Sequence, residues 1–272
     1  MATTAGPDLA AVKARQQATW ASGDFSVVGG RIAVTAERLV DAADLRAGWR
    51  VLDVATGSGN AALAAARLGC DVTGVDYVPA LLERGRERAR AERLGVDFVE
   101  GDAEALPFMT GTFEAVVSIF GCMFAPDQSR TAAELRRVVR PGGRIALACW
   151  TPDGFIGDMF RVMSAHVPPP AGVAPPVLWG VEDHVRLLFG RTLAGITARE
   201  ETFTFRYASP EALVAEFRAT YGPTVRAFAA LDDAGRDALQ ADLVDLCRRW
   251  DRLGDGATAI PATYLQVTGD AA

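Results

Sequence analysis

Short apolar runs alternate with helix-like segments through the middle of the chain. The apolar runs are rich in Val, Ile and Phe and are VLDVA (51–55), DVTGVD (71–76), VDFVEGD (96–102), EAVVSIF (114–120) and RIALACW (144–150). Segments with apolar residues at helical spacing lie between them, at 60–68, 79–94 and 128–139. Alternating strands and helices predict parallel βαβ units in a doubly wound sheet. Helices on both sides of that sheet would explain why the strands are apolar on both faces.

Turn-forming residues are expected to mark the ends of two of these helices. Pro79 suits the first turn of one helix, and Gly95 follows its end. The sequence RPGG (140–143) is expected to end the next helix and to turn the chain into RIALACW.

The chain before this region is predicted to be helical. Asp8 is a candidate cap for the helix LAAVKARQQATWA (9–21), and RIAVTAERLVDAA (31–43) also has apolar residues at helical spacing. The segment SGDFSVVGG (22–30) between them is expected to be a loop.

After Trp150 the pattern becomes less regular. Helices are predicted at 154–166 and 182–190, with the Pro-rich loop VPPPAGVAPP between them. TFTFRY (202–207) and ATYLQVT (262–268) predict two late strands. The segment 210–253 between these strands is helical in pattern, which predicts a cap inserted into the sheet domain.

Composition excludes several classes of protein. The net charge of −6 gives no electrostatic basis for binding nucleic acid or an anionic membrane. The arginine run at 84–93 also contains glutamates, so a solvated helix face is expected there. No apolar run approaches the roughly 20 residues that span a bilayer, and no signal peptide is visible. The cysteines lack the spacing of a disulfide framework or metal site, which predicts buried thiols, no metal and a cytoplasmic protein.

A glycine-rich segment follows the first predicted strand. Gly57 and Gly59 lie between that strand and the next helix, where open α/β sheets bind nucleotide-like cofactors. Asp76 ends the second strand, where a carboxylate can accept both ribose hydroxyls, and Asp102 ends the third, where one can accept from an adenine amine. Each has a structural alternative: a turn without ligand, a helix-capping Asp76, and a turn-forming Asp102. Asp53 before the loop suits a ligand with an ammonium group better than a diphosphate.

These segments together resemble class I S-adenosylmethionine-dependent methyltransferases. The resemblance covers about residues 48–150 and rests on VLDVATGSGN, VTGVDYVPALL, VEGDAEALPF, VVSIF and LRRVVRPGGRIAL in that order. It is strongest to the group that includes ubiquinone and menaquinone methyltransferases. The resemblance implies a Rossmann-like, doubly wound α/β fold with a seven-stranded sheet and an antiparallel last strand.

The resemblance also implies a division of the single domain 1–272. Residues 1–47 would form an N-terminal helical cap, 48–150 the cofactor-binding core, and 151–272 the acceptor-side segments, with a helical insertion at about 208–255. S-adenosylmethionine is the implied cofactor. The implied cofactor-binding residues are Asp53, Ala55, Thr56, Gly57 and Gly59 for the methionine end, Asp76 and Tyr77 for the ribose, Asp102 and Ala103 for the adenine, and Ser118 and Phe120 beside the sulfonium. Ala55 replaces the first glycine of the usual family loop.

The methyl acceptor is expected to bind above the carboxyl ends of the strands. Candidate lining residues are aromatic or sulfur-containing and include Trp20, Phe25, Phe120, Met123, Phe124, Trp150, Phe155, Met159 and Trp179. For each of them, packing in the core is the alternative. Such a set suggests a sizeable, largely apolar acceptor among small molecules. Of the two histidines, His166 is the first candidate for a general base and His184 the second.

Three functions stay open at this level. The first is methylation of oxygen or carbon in a small molecule, by a protein that could form a homodimer. The second is a protein with the same fold and cofactor but without methyl transfer, either a cofactor-binding module or a cyclase. The third is an NAD-dependent oxidoreductase.

Overall fold

The sheet of this protein, seen in a computed structural model that describes residues 7–272, has seven strands. They are β1 (Arg50–Val54), β2 (Asp71–Asp76), β3 (Val96–Glu100), β4 (Phe113–Ile119), β5 (Val139–Trp150), β6 (Leu193–Tyr207) and β7 (Thr258–Ala271). Their order across the sheet is β3-β2-β1-β4-β5-β7-β6. β1 to β5 pair in parallel, whereas β7 is antiparallel to both β5 and β6. The predicted doubly wound sheet with an antiparallel last strand is therefore confirmed.

Eleven α-helices lie in the described part of the chain. They are α1 (Leu9–Trp20), α2 (Phe25–Arg31), α3 (Ala33–Ala42), α4 (Asn60–Arg67), α5 (Pro79–Glu92), α6 (Gln128–Val138), α7 (Phe155–His166), α8 (Glu182–Phe189), α9 (Pro210–Thr220), α10 (Gly222–Ala229) and α11 (Asp233–Trp250). The helices α9 to α11 form the insertion predicted before the last strand. Residues 1–6 of the predicted cap at 1–47 lie outside the described residues.

The central strands match the sequence predictions closely because they are buried and apolar. Val51, Leu52 and Val54 of β1 are fully buried between its neighbours β2 and β4. β2 has the predicted bounds, and β1, β3 and β4 differ from the predicted bounds by about one or two residues at an end. The four cysteines are free and buried.

The expected turn at RPGG was wrong. β5 begins at Val139 and continues through these residues, with an irregular register between the pairs Phe113–Val139 and Ala115–Arg144. Gly143 permits this because a Cβ there would lie 2.7 Å from the backbone oxygen of Glu114 on β4. The glycine thus brings two strands together where the sequence suggested a separate turn.

The two late strands are much longer than predicted. β6 is an edge strand, and its first half, which ends in the exposed residues Arg199 and Glu200, is largely exposed. An edge strand of this kind lacks the apolar alternation used to recognise strands. β7 extends beyond the predicted 262–268 at both ends and contains Pro261, a residue that argues against a strand interior.

The segment 22–30 is also more regular than predicted, since α2 occupies most of it. Asp24 caps this helix by accepting a hydrogen bond from the Ser26 amide at 3.1 Å. Gly29 and Gly30 lower helix propensity, which explains the expected loop. The predicted cap of α1 is confirmed, because Asp8 accepts from the Ala11 amide at 3.1 Å.

The C-terminal end of α1 packs directly on the helical insertion, backbone against backbone. A Cβ on Gly23 would lie 2.2 Å from the Thr220 oxygen, and one on Gly222 would lie 2.3 Å from the Thr19 oxygen. Both glycines are therefore required by this close approach. They join the N-terminal helices to the α9–α10 turn.

We expect Gly222→Ala to separate these two segments and to lower the free energy of unfolding by about 1–3 kcal/mol, the usual cost of overpacking. Chemical denaturation measures the change. Gly30→Ala is the matched control, because a Cβ there meets no atom within 4 Å and α2 should gain up to about 1 kcal/mol from helix propensity. Equal changes in the free energy of unfolding for the two variants would contradict the close backbone contact at Gly222.

Candidate active site

A cavity of about 310 Å³ lies at the carboxyl ends of the central strands. Its floor consists of residues 55–58 after β1, 76–77 at the end of β2, 102–103 after β3 and 119–121 at the end of β4. Side chains of α1 and α2 complete its walls. β1 lies between β2 and β4, where the strand order changes direction, and this is where open α/β sheets bind their ligands.

The loop after β1 depends on left-handed backbone conformations. Gly57 has φ +55°, and Gly59, the residue before α4, has φ +86°. Ala55 has φ +53°, so the position that departs from the usual family loop does require the conformation that glycine favours. The facing residue, Gly121, leaves room for it, because a Cβ on Gly121 would lie 2.4 Å from the Ala55 oxygen.

Asp76 holds this loop against the end of β2. Its Oδ2 accepts a hydrogen bond from the Gly57 amide at 2.9 Å, and its Oδ1 accepts from the Val78 amide at 2.9 Å. Burial raises the pKa of Asp76 to about 6, although these backbone hydrogen bonds oppose the change. The side chain also lines the cavity, so one carboxylate both shapes the loop and faces the ligand space.

Asp53 lies behind the loop and not in the cavity lining where the sequence led us to expect it. Its Oδ2 accepts from the Thr56 hydroxyl at 2.6 Å and from the Ala62 amide at 2.9 Å. The carboxylate therefore joins the loop to the first turn of α4, and its Oδ1 is buried without a hydrogen-bond partner in the described chain. Burial raises the pKa of Asp53 to about 7.

Two other predicted cofactor residues have the same supporting position. Gly59 precedes α4, and the hydroxyl of Ser118 donates to the Val54 oxygen at 2.6 Å. Neither lines the cavity, whereas eight predicted residues do, namely Ala55, Thr56, Gly57, Asp76, Tyr77, Asp102, Ala103 and Phe120.

Lys13 of α1 reaches across the cavity to the turn after β3. Its Nζ lies 2.6 Å from Oδ2 of Asp102 and 2.7 Å from Oε2 of Glu104. Gln17, one turn further along α1, donates to the Tyr77 oxygen at 2.5 Å. These contacts place α1 over the end of the cavity lined by Tyr77 and Asp102.

A half-buried arginine supports the loop from the side of α5. Arg88 donates to the Ser58 oxygen and to Oδ1 of Asn60, both at 2.7 Å. Asn60 in turn donates to the Gly29 oxygen of α2 at 2.8 Å. This chain of hydrogen bonds connects α5, the glycine-rich loop and α2.

A small aromatic chamber of about 20 Å³ adjoins the cavity and shares part of its lining. Phe120 stacks on Trp150 with ring centroids 3.8 Å apart and planes at 4°. Trp20 makes edge contacts with Phe25, Phe124 and Tyr221 at centroid distances of 5.7, 4.9 and 5.6 Å. We call this the aromatic chamber, and its lining is Trp20, Phe25, Val28, Ile32, Phe120, Phe124, Trp150, Ile156, Phe205, Phe217 and Tyr221.

The remaining candidate acceptor residues lie elsewhere. Phe155 and Met159 line a separate small cavity beneath the insertion, and Met123 and Trp179 are buried in the core. Trp179 packs edge-on against Phe189 with centroids 6.2 Å apart. For these four residues the structure favours packing over contact with an acceptor.

The structure places neither histidine in the lining of the cavity or the chamber. His166, the candidate base, has Nε2 at 2.7 Å from Oδ2 of Asp242 on α11. His184 has Nε2 at 2.7 Å from Oε1 of Gln128 on α6. Both contacts join helices, so the assignment of His166 as a base is not supported by its position.

Sequence reasoning missed several residues of the site. Lys13 and Gln17 come from the N-terminal helix, and Phe205, Phe217 and Tyr221 come from β6 and the insertion. Only Lys13 gave a sequence signal, since it is the single lysine of the chain. The aromatic residues belong to segments that no local pattern connects to the loop.

The sequence matches a methyltransferase family model and several relatives. A family model described as a methyltransferase domain matches residues 52–147. The uncharacterized protein Rv1403c of Mycobacterium tuberculosis is 40% identical over 236 residues, which are 85% of this chain and 86% of that protein. The demethylmenaquinone methyltransferase of Deinococcus radiodurans is 39% identical over 127 residues, 45% of this chain and 53% of that enzyme.

Solved structures share the fold. The YcgJ protein of Bacillus subtilis has a TM-score of 0.61 at 18% identity, over 87% of this chain and 98% of that one. Geranyl diphosphate methyltransferase in complex with SAM has a TM-score of 0.53 at 20% identity, over 88% of this chain and 85% of that one. The [4+2]-cyclase SpnF has a TM-score of 0.54 at 19% identity, over 88% of this chain and 81% of that one.

The fold, the cavity at its switch point and these matches lead to one family. The chain belongs to the class I S-adenosylmethionine-dependent methyltransferases, and its cofactor is S-adenosylmethionine. Within residues 7–272, no three His, Cys, Asp or Glu side chains are arranged to hold a metal ion. In the same residues, every helix is too short or too polar to cross a bilayer.

The raised pKa values of Asp53 and Asp76 predict a pH-dependent stability. Carboxyls that bind protons more tightly in the folded state stabilise the fold at low pH, and this stabilisation is lost as the pH rises through about 6 to 7. We expect Asp53→Asn to remove the part of this pH dependence that Asp53 causes, a change in the free energy of unfolding on the order of 2–3 kcal/mol between pH 5 and pH 8. Thermal and chemical unfolding of both proteins without cofactor, at several pH values, measure this difference.

Asp71→Asn is the control for this experiment, because Asp71 is exposed at the other end of β2. It should keep the pH profile of the wild-type protein. If Asp53→Asn also kept that profile, the carboxyl would not be protonated in the folded protein.

Proposed function

We propose that this methyltransferase acts on oxygen or carbon of a small, largely apolar molecule. The observation that carries the proposal is the aromatic wall that the cofactor cavity of about 310 Å³ shares with the small chamber beside it. The chamber and the cavity share Trp20, Phe25, Ile32, Phe120 and Phe124. Apart from two indole N–H groups and the Tyr221 hydroxyl, the side chains that line the chamber are apolar.

The residues of the cavity fit the cofactor. When bound, S-adenosylmethionine supplies an electrophilic methyl group on a sulfonium sulfur. Asp76 and Tyr77 are proposed to hold its ribose, Asp102 and Ala103 its adenine, and the loop at 55–57 its methionine part. Asp53, Gly59 and Ser118 support these positions from behind. Buried carboxylates also suit a ligand that carries positive charge.

This arrangement favours positioning over acid–base catalysis. The titratable side chains that line the cavity within residues 7–272 are Lys13, Asp76, Tyr77 and Asp102, and all lie on its cofactor side. Burial raises the pKa of Tyr221 in the chamber, so its hydroxyl stays protonated and can donate a hydrogen bond. Orienting an acceptor and excluding water are the tasks that remain for the chamber.

The other predictions on partners and location stay predictions. The net charge of −6 argues against a nucleic acid acceptor. The four free cysteines favour the cytoplasm. The homodimer also remains a prediction from the sequence. The relative from Deinococcus radiodurans is named a demethylmenaquinone methyltransferase, which is consistent with a small-molecule acceptor for this chain.

A binding measurement tests the cofactor site. Asp76→Ala should weaken binding of S-adenosylhomocysteine by roughly 1.5–3 kcal/mol, because hydrogen bonds to a charged group are lost. Isothermal calorimetry measures the affinity, and Asp71→Ala on the same strand is the control that should bind as the wild type does. A folded Asp76→Ala variant with unchanged affinity would show that the ribose lies elsewhere.

A labelling experiment tests the reaction. We expect methyl-labelled S-adenosylmethionine to transfer its label to small apolar phenols or enols. Phe217→Trp, whose larger side chain fills the chamber and crowds its shared wall with the cavity, should reduce transfer to the larger acceptors at least tenfold and leave the affinity for S-adenosylhomocysteine within about twofold. Label on a polar acceptor alone would contradict the proposal.

The same experiment separates the second candidate, a protein of this fold that uses the cofactor without transferring its methyl group. Two observations favour keeping it: the titratable side chains of the cavity lining within residues 7–272 all lie on its cofactor side, and the cyclase SpnF shares the fold. Rearranged product without label would support it.

A further inference from the structure

The helix α1 is held over the cavity in two different ways. Its C-terminal end is fixed by the Gly23–Gly222 approach and by Trp20 among the aromatic side chains. Its N-terminal half has little apolar anchorage, since Val12 is the buried residue of the helix. Lys13 in that half contacts two carboxylates, and Gln17, one turn further along the helix, donates to the Tyr77 oxygen.

The two carboxylates that hold Lys13 differ in surroundings. Glu104 is fixed, because its side chain is only 5% exposed and its Oε1 accepts from the Asp127 amide at 2.7 Å. Asp102 is 37% exposed and lines the cavity. Its Oδ1 accepts from the Glu104 amide at 2.9 Å, which leaves Oδ2 for a ligand.

In this structure Nζ of Lys13 donates a hydrogen bond to Oδ2 of Asp102 at 2.6 Å. Burial lowers the pKa of Lys13, but its hydrogen bonds to Asp102 and Glu104 outweigh this effect and raise the pKa. The ammonium group is therefore charged. It competes for the oxygen at which an adenine amine would donate.

We propose that Lys13 is a latch on α1 that is shared between Asp102 and Glu104 in the free protein and is retained by Glu104 alone when the adenine binds at Asp102. This inference rests on the adenine position given under the proposed function. In the complex, the Lys13–Glu104 pair keeps the N-terminal half of α1 closed over the cofactor. Lys13 is a positioning residue in this scheme, and it controls entry and release.

Release kinetics of S-adenosylhomocysteine test the latch directly. The rate is measured by chasing radiolabelled S-adenosylhomocysteine from the complex with excess unlabelled S-adenosylhomocysteine and counting the label that stays bound. We expect Lys13→Gln and Glu104→Gln each to speed release about three- to thirtyfold. The double variant should release no faster than the faster single variant, because both substitutions remove the same contact.

Arg15→Gln is the matched control, since it removes a positive charge from the same helix at an exposed residue whose side chain, within residues 7–272, hydrogen-bonds to the Ala11 oxygen and to no carboxylate. Its release rate should stay within about twofold of the wild type. Lys13→Arg, which keeps the charge, should restore most of the slow release.

Hydrogen exchange of the wild-type protein keeps the latch testable if a variant fails to fold. S-adenosylhomocysteine should slow amide exchange at 9–20, and 0.5 M salt should speed its release by weakening the ion pair. Unchanged release in Lys13→Gln, or additive effects of the two substitutions, would overturn the latch but not the cofactor site. No binding by the wild type would overturn both.

Discussion

The fold of the site depends on one buried contact, in which the Asp76 carboxylate accepts the Gly57 amide at 2.9 Å. It connects the ends of β1 and β2, and it keeps the loop in the left-handed conformation that opens the cavity. A buried carboxylate is costly, and the raised pKa of Asp76 reflects that cost. Asp53 repeats the arrangement one strand earlier and joins the same loop to α4. The protein therefore keeps two desolvated acids next to the space for a positively charged ligand.

The sequence predicts the part of the fold whose stability comes from local burial. Strands such as β1 and β2 are apolar throughout and are bounded by turn residues, so their position follows from composition. β6 is an edge strand with exposed charged residues, and its pairing with β7 depends on a partner more than 50 residues away. Long-range pairing of this kind leaves no periodic signal. The helix α2 was missed for a different reason, since its capping aspartate outweighs two unfavourable glycines.

The site was predictable to the same extent. The loop and the acids at the strand ends follow one another in a fixed order, and eight of those residues do line the cavity. The acceptor side could not be predicted, because Trp20, Phe120 and Tyr221 meet only when the chain folds. His166 shows the limit of reasoning from residue type, since its chemistry suits a base but its side chain contacts Asp242. Met123 and Trp179 show the same limit for apolar side chains.

The contact between Gly23 and Gly222 has a consequence for how acceptor preference can be changed. It makes the N-terminal helices and the helical insertion a single covering unit, although they are about 200 residues apart in sequence. A chimera that exchanges only the insertion for that of a relative would place a foreign surface against α1. Such exchanges should therefore carry both segments together, with the sheet and its loop left in place.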